Sequence, residues 1–288
     1  MKPLSFLIFI ILSLNATSQR AKINRQLQKD LEKTMEGFHG RAGIYVKDLR
    51  TNKTASINAD TLFPTASMIK IPILIGIMDK LNNGQLQYHQ PMIYKDSLLY
   101  AGVDILGSFK NNEKIELSKV MMLSLTMSDN TASLWLQSLA GGGKRINELL
   151  DSLGFSKTRM NSRTPGRAQN QAEFGWGQTT PYEMASLLER IYKGTILDKA
   201  ASAKMLRLLG RNYWDENAIS QIPSSIFIAS KSGAVDQTRN ETLLVMARHP
   251  YVFCICTKNN KDISWDDSNE AWQMTRKVSK FLWDYFSK

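Results

Sequence analysis

The chain has 288 residues, of which 43% are hydrophobic, and a formal net charge of +11. That length and apolar fraction supply one or two packed cores and exclude a disordered chain. The basic excess suits anionic envelope polymers or lipids, and no motif accompanies it that would point to nucleic acid as a partner.

Residues 1–18 read as a secretory signal peptide. Lys2 supplies the positive start, Leu4 to Leu14 the apolar core, and Ala16-Thr17-Ser18 the small-residue cleavage site. The apolar core is too short to span a bilayer. The mature chain, 19–288, is expected to be periplasmic or secreted and monomeric, without stable membrane insertion; a retained anchor is the alternative.

From 21 to 38, Ile23, Leu27, Leu31 and Met35 recur on one helical face. Strands are expected at 43–49 and 53–57, joined by the turn Arg50-Thr51-Asn52. An apolar helix then runs from about 64 to 81, with Pro72 bending its first part. Helices are predicted at 117–124, 131–139, 144–153, 181–192 and 198–209. The polar stretch 157–178 lacks periodicity and reads as a long loop, the kind that often carries function. Strands return at 226–230, 242–248 and 251–257, where Cys254 and Cys256 point to one face as buried structural thiols. No second pair completes a metal site. A last helix, 269–286, places Ala271, Met274, Val278, Phe281 and Tyr285 together. The expected fold is α+β. One antiparallel sheet (parts 19–62 and 210–288) is flanked by the terminal helices, and an all-helical part (63–209) is inserted.

Three short motifs carry chemistry. Ser67 and Lys70 lie three apart, so one helical turn brings them to the same face. A serine hydroxyl becomes a nucleophile when a base takes its proton, and a desolvated lysine can be that base. Ser128-Asp129-Asn130 stands between two helices, and Lys231-Ser232-Gly233-Ala234 closes a predicted strand. Read singly, these are a cap and a snorkelling lysine, a capping turn, and a charged strand end. In this order and at these separations they resemble the S-x-x-K, S-D-N and K-T-G set of class A β-lactamases and related penicillin-binding proteins. Serine replaces threonine in the third motif and keeps its hydroxyl. The resemblance extends to Gln178-Thr179-Thr180-Pro181 and Asn240-Glu241.

The resemblance implies a β-lactamase-like fold and a catalytic set of Ser67, Lys70, Ser128 and Lys231, with no metal or cofactor. The N–H groups of Ser67 and Ala234 would form an oxyanion hole, and such donors are worth about 3–4 kcal/mol each. Asn130, Ser232 and Gly233 would bind substrate, a small-molecule β-lactam or a cell-wall peptide. The family's loop glutamate, which activates the deacylating water, is absent. Thr164 or Pro165 occupies its place, and Glu173 is the nearest carboxylate. Acylation chemistry is therefore complete while deacylation is expected to be impaired or altered. Two alternatives stay open: a D-alanyl-D-alanine peptidase or penicillin-binding cell-wall enzyme, and a sensing module that is acylated without turnover. A Ser-His-Asp hydrolase is disfavoured because His39, His89 and His249 lie in no catalytic motif and G-x-S-x-G is absent. Gly141-Gly142-Gly143-Lys144 is followed by Arg145, which rules out a phosphate-binding loop.

Overall fold

The computed structural model describes residues 22–288, so the signal-peptide reading lies outside the described residues. Helix α1 (Arg25–Thr34) starts where Asn24 accepts the N–H of Leu27. It buries Leu27 and Leu31, while Ile23 precedes the helix and stays 67% exposed. Strands β1 (Arg41–Asp48) and β2 (Thr54–Ile57) follow. In the turn between them, Asp48 accepts the N–H groups of Arg50 and Thr51, and Asn52 takes a left-handed φ of 58°.

A two-residue strand, β3 (Phe63–Pro64), leads to a 3₁₀ turn (Ala66–Ile69) and then α2 (Lys70–Asn82). Every α2 residue from Lys70 to Met78 is buried, which marks a central core helix rather than an amphipathic surface one. Pro72 is its third residue. The N–H it lacks has no intrahelical acceptor in the first turn. The irregularity expected at Pro72 is instead the 3₁₀ turn ahead of it.

Two short strands that local pattern does not signal, β4 (Pro91–Ile93) and β5 (Lys114–Glu116), pair with each other. Helices α3 (Leu117–Thr126), α4 (Asn130–Leu139) and α5 (Gly142–Ser152) come next. The expected long loop is more ordered than its composition suggests. It holds β6 (Arg159–Met160), α6 (Ala168–Phe174) and β7 (Gly177–Thr179). Only Phe174 of α6 is buried, so that helix leaves no apolar period to read. Helix α7 (Pro181–Tyr192) matches expectation, with Thr180 capping it, and α8 (Lys199–Leu209) is capped by Asp198.

Strands β8 (Ile228–Val235), β9 (Thr238–Val245) and β10 (Tyr251–Lys258) and helix α9 (Glu270–Phe286) complete the chain. The third motif does not close β8 but lies within it. On α9 the buried positions are Leu282 and Phe286 rather than Phe281 and Tyr285, following a helical step that the aromatic residues obscured. The five-stranded antiparallel sheet has the order β2-β1-β10-β9-β8. Alternation along β10 splits the core between its faces. Tyr251, Phe253 and Ile255 pack with α1 and α9, while Val252, Cys254 and Cys256 pack with the helices inserted between β2 and β8. The two thiols are free and buried on one face, 3.6 Å apart. This is the expected α+β architecture. Among the described residues, no helix is long and apolar enough to cross a membrane.

Candidate active site

Ser67 is half-buried in the 3₁₀ turn, between the strained Ala66 (φ 44°) and the buried Met68. Ser128 itself sits at φ 60°. Non-glycine residues held in the left-handed region cost about 1–3 kcal/mol each and gather where function over-determines the backbone. Both strained positions flank the same lysine.

Lys70 is fully buried, and its Nζ lies 3.0 Å from Ser67 Oγ, 2.6 Å from the Ser128 carbonyl, 3.0 Å from Ser128 Oγ and 3.0 Å from Asn130 Oδ1. Burial, then the charge of Lys231, holds its pKa well below the usual lysine range, while Asp129 opposes the shift. A neutral amine has two N–H donors and one lone pair. Donation to the Ser128 carbonyl and to Asn130 uses the donors. The lone pair is left to accept from one of the two hydroxyls. The first two motifs thus meet around one nitrogen.

Asp129 does not face this centre. Its carboxylate caps α4 at Ala132 and accepts the N–H groups of Ile105 and Leu106. It fixes the loop that passes over Asn130, whose own N–H donates to the Val103 carbonyl. Its place inside the second motif was a signal for this anchoring role.

The third motif reaches the site along β8. Lys231 is fully buried, with Nζ donating to the Ser232 carbonyl at 2.9 Å, and burial lowers its pKa to about 7 against the pull of Glu241. Ser67, Ser128, Ser232, Gly233 and Ala234 line one cleft of about 260 Å³. Asn240 clamps it from β9, donating to the Pro64 carbonyl and accepting the N–H of Thr257. Gly233 lets β8 lie against the turn that carries Ser67. A Cβ there would come within 2.6 Å of the Thr65 carbonyl, 2.9 Å of Ser67 N and 3.0 Å of Met68 N. Gly233→Ala is therefore expected to displace Ser67 and slow its acylation by about 100-fold, the loss that a shift near 1 Å can cause. Labelling by a fluorescent penicillin, with circular dichroism to confirm folding, measures it.

From the long loop, the group that faces Lys70 is Trp176, its ring centroid 6.0 Å from Nζ. Tyr100 braces that ring edge-on at 5.2 Å. Thr164 lies against α5, where a Cβ on Gly143 would collide with its hydroxyl. Glu173 is exposed on α6 and acts electrostatically on Lys258. None of the four hydrogen-bond partners of Lys70 Nζ is a carboxylate. No local pattern marked Trp176. The loop is shaped by Arg167, which donates to Asn161 Oδ1 and Gln178 Oε1 across its base.

The family model for the beta-lactamase enzyme family matches residues 26–286. Beta-lactamase SME-1 of Serratia marcescens is 22% identical over 94% of this chain and 94% of its own. Beta-lactamase VEB-1 of Pseudomonas aeruginosa is 21% identical over 99% of each. Among solved structures, PBP-A superposes with a TM-score of 0.81 at 22% identity, covering 92% of this chain and 97% of its own. A mutant of PBP-A, with the same score and identity, is an acyl-enzyme complex with penicillin G, covering 92% of this chain and 98% of its own.

Proposed function

The chain belongs to the beta-lactamase enzyme family, and we propose that it is an envelope serine hydrolase that attacks a β-lactam or related amide through an acyl-serine intermediate. The observation that carries this reading is the buried Lys70 amine, set 3.0 Å from both Ser67 Oγ and Ser128 Oγ. Lys70 takes the Ser67 proton as Oγ bonds to the carbonyl carbon. The resulting oxyanion is held by the N–H groups of Ser67 and Ala234. Ser128 relays the proton from Lys70 to the leaving nitrogen, the C–N bond breaks, and an ester on Ser67 remains. Asn130 orients Lys70 and the substrate amide. Ser232 and Lys231 attract a substrate carboxylate, and Gly233 leaves room for the substrate to lie along β8.

Trp176, in place of a carboxylate beside Lys70, favours slow release of the acyl group. This supports a penicillin-binding or D-alanyl-D-alanine peptidase role over efficient β-lactam hydrolysis. The protein would work as a monomer, periplasmic or secreted, after loss of residues 1–18.

Benzylpenicillin is expected to add once, intact, and peptide mapping should locate it on Ser67. No adduct, or one on another residue, would overturn the reading. Release of D-alanine from a D-alanyl-D-alanine peptide separates the peptidase from a module that is only acylated.

A further inference from the structure

The cleft that holds Ser67 has a second lining. Glu216, Glu241 and Asp267 face it together with Trp214, Trp265 and Trp272. Glu241 is the cross-strand partner of Ser232, so both side chains leave the same face of the sheet. It is 98% buried by the 2% exposure it retains. Its Oε2 accepts the N–H of Ala218 at 3.0 Å, yet its Oε1 has no hydrogen-bond partner. A buried carboxyl oxygen left unpaired is costly.

None of the nearby cations is hydrogen-bonded to Glu241 Oε1. Lys231 donates to the Ser232 carbonyl, and Arg276 donates to Asn217 Oδ1 and to the Asp267 carbonyl. The Arg239 guanidinium lies over Trp265 at 4.4 Å and Trp272 at 4.9 Å. Acidic groups and indole faces in one pocket attract the same kind of ligand, a weakly hydrated organic cation.

We propose that this wing of the cleft is a subsite for an organic cation, selecting substrates that carry a positive group beside the carboxylate held by Ser232. The proposal rests on the acyl-serine reading for which end of the substrate lies there. Burial, reinforced by Glu216 and Asp215, pushes the Glu241 carboxyl up to about 8 against the Ala218 N–H and the charge of Lys231. A bound cation would draw it back to the carboxylate.

Two cephalosporins with the same thienylacetyl side chain test it, one bearing a pyridiniomethyl group at C3 and the other an acetoxymethyl group. Their affinities for the mature Ser67→Ala protein are measured by calorimetry, and acylation of the wild type by intact mass. The pyridinium compound is expected to bind about tenfold tighter, the scale of a desolvated cation–aromatic contact. Glu241→Gln should bring the ratio close to one. The double variant Glu216→Gln/Asp267→Asn, changed only at exposed positions, should do so in part even if Glu241→Gln fails to fold. Equal affinities for the unaltered subsite, or a preference that survives the variants, overturns the proposal. A preference that persists while neither compound acylates Ser67 supports the subsite and refutes the acyl-serine reading instead. Acylation by both compounds at equal affinity does the reverse.

Discussion

Lys70→Ala is expected to slow acylation of Ser67 by penicillin about 10²–10⁴-fold, the usual worth of a positioned general base. The fold should survive, because alanine is a good helix former at the first position of α2. Removing a buried lysine also relieves a desolvation cost. The remaining rate reports the oxyanion donors and binding. In the wild type the rate should fall as pH drops through the depressed pKa of Lys70, because protonation uses up the lone pair that accepts from Ser67. The alanine variant should lose that acid limb. Lys231, near 7, works in the opposite sense. Its attraction for a carboxylate is present when it is protonated and fades as pH rises, so carboxylate-bearing substrates should show a basic limb that neutral esters lack. Stopped-flow quenching with mass detection across pH follows both. A variant that acylates at the wild-type rate would remove Lys70 from the mechanism.

The second large effect is in release. Mixing the protein with penicillin should give one fast equivalent of acylation and then turnover about 10²–10⁴-fold slower than base-assisted hydrolysis would allow. Glu173→Gln should leave the slow phase unchanged, since Glu173 is exposed on α6 and lies outside the cleft lining. A glutamate at position 164 is the rescue that linear alignment suggests. The structure argues against it, because Thr164 packs on Gly143 of α5. Trp176→Glu is the informative substitution. It puts a carboxylate near Lys70 and should quicken release while slowing acylation, because a nearby anion favours the charged lysine. Rapid steady turnover by the wild type would overturn this account.

What could be read from the chain was what depends on short separations. Ser67 and Lys70 share a turn, Thr180-Pro181 starts a helix, and β10 alternates its two faces. The three motifs reported one centre because their chemistry is local even though their contacts are not. What escaped reading depends on long-range packing. β8 runs on through Lys231 because β9 pairs with it as far as Val235 and Thr238. The residue opposite Lys70 is decided by how Arg167, Asn161 and Gln178 fold the loop, and no neighbour of Trp176 in sequence announces it. Helix α6 was invisible for want of a buried stripe.

The sheet order also sets the sequence of assembly. β1 lies between β2 and β10, with Arg41 paired to Lys258, so the sheet cannot close until nearly the whole chain exists. Such non-local pairing folds slowly. Ser67 and Lys70 are synthesised long before Ser128, which contacts the Lys70 amine, and Lys231, whose charge lowers the pKa of Lys70. On the proposed acyl-serine function, Ser67 would gain its reactivity only when the two ends of the polypeptide meet.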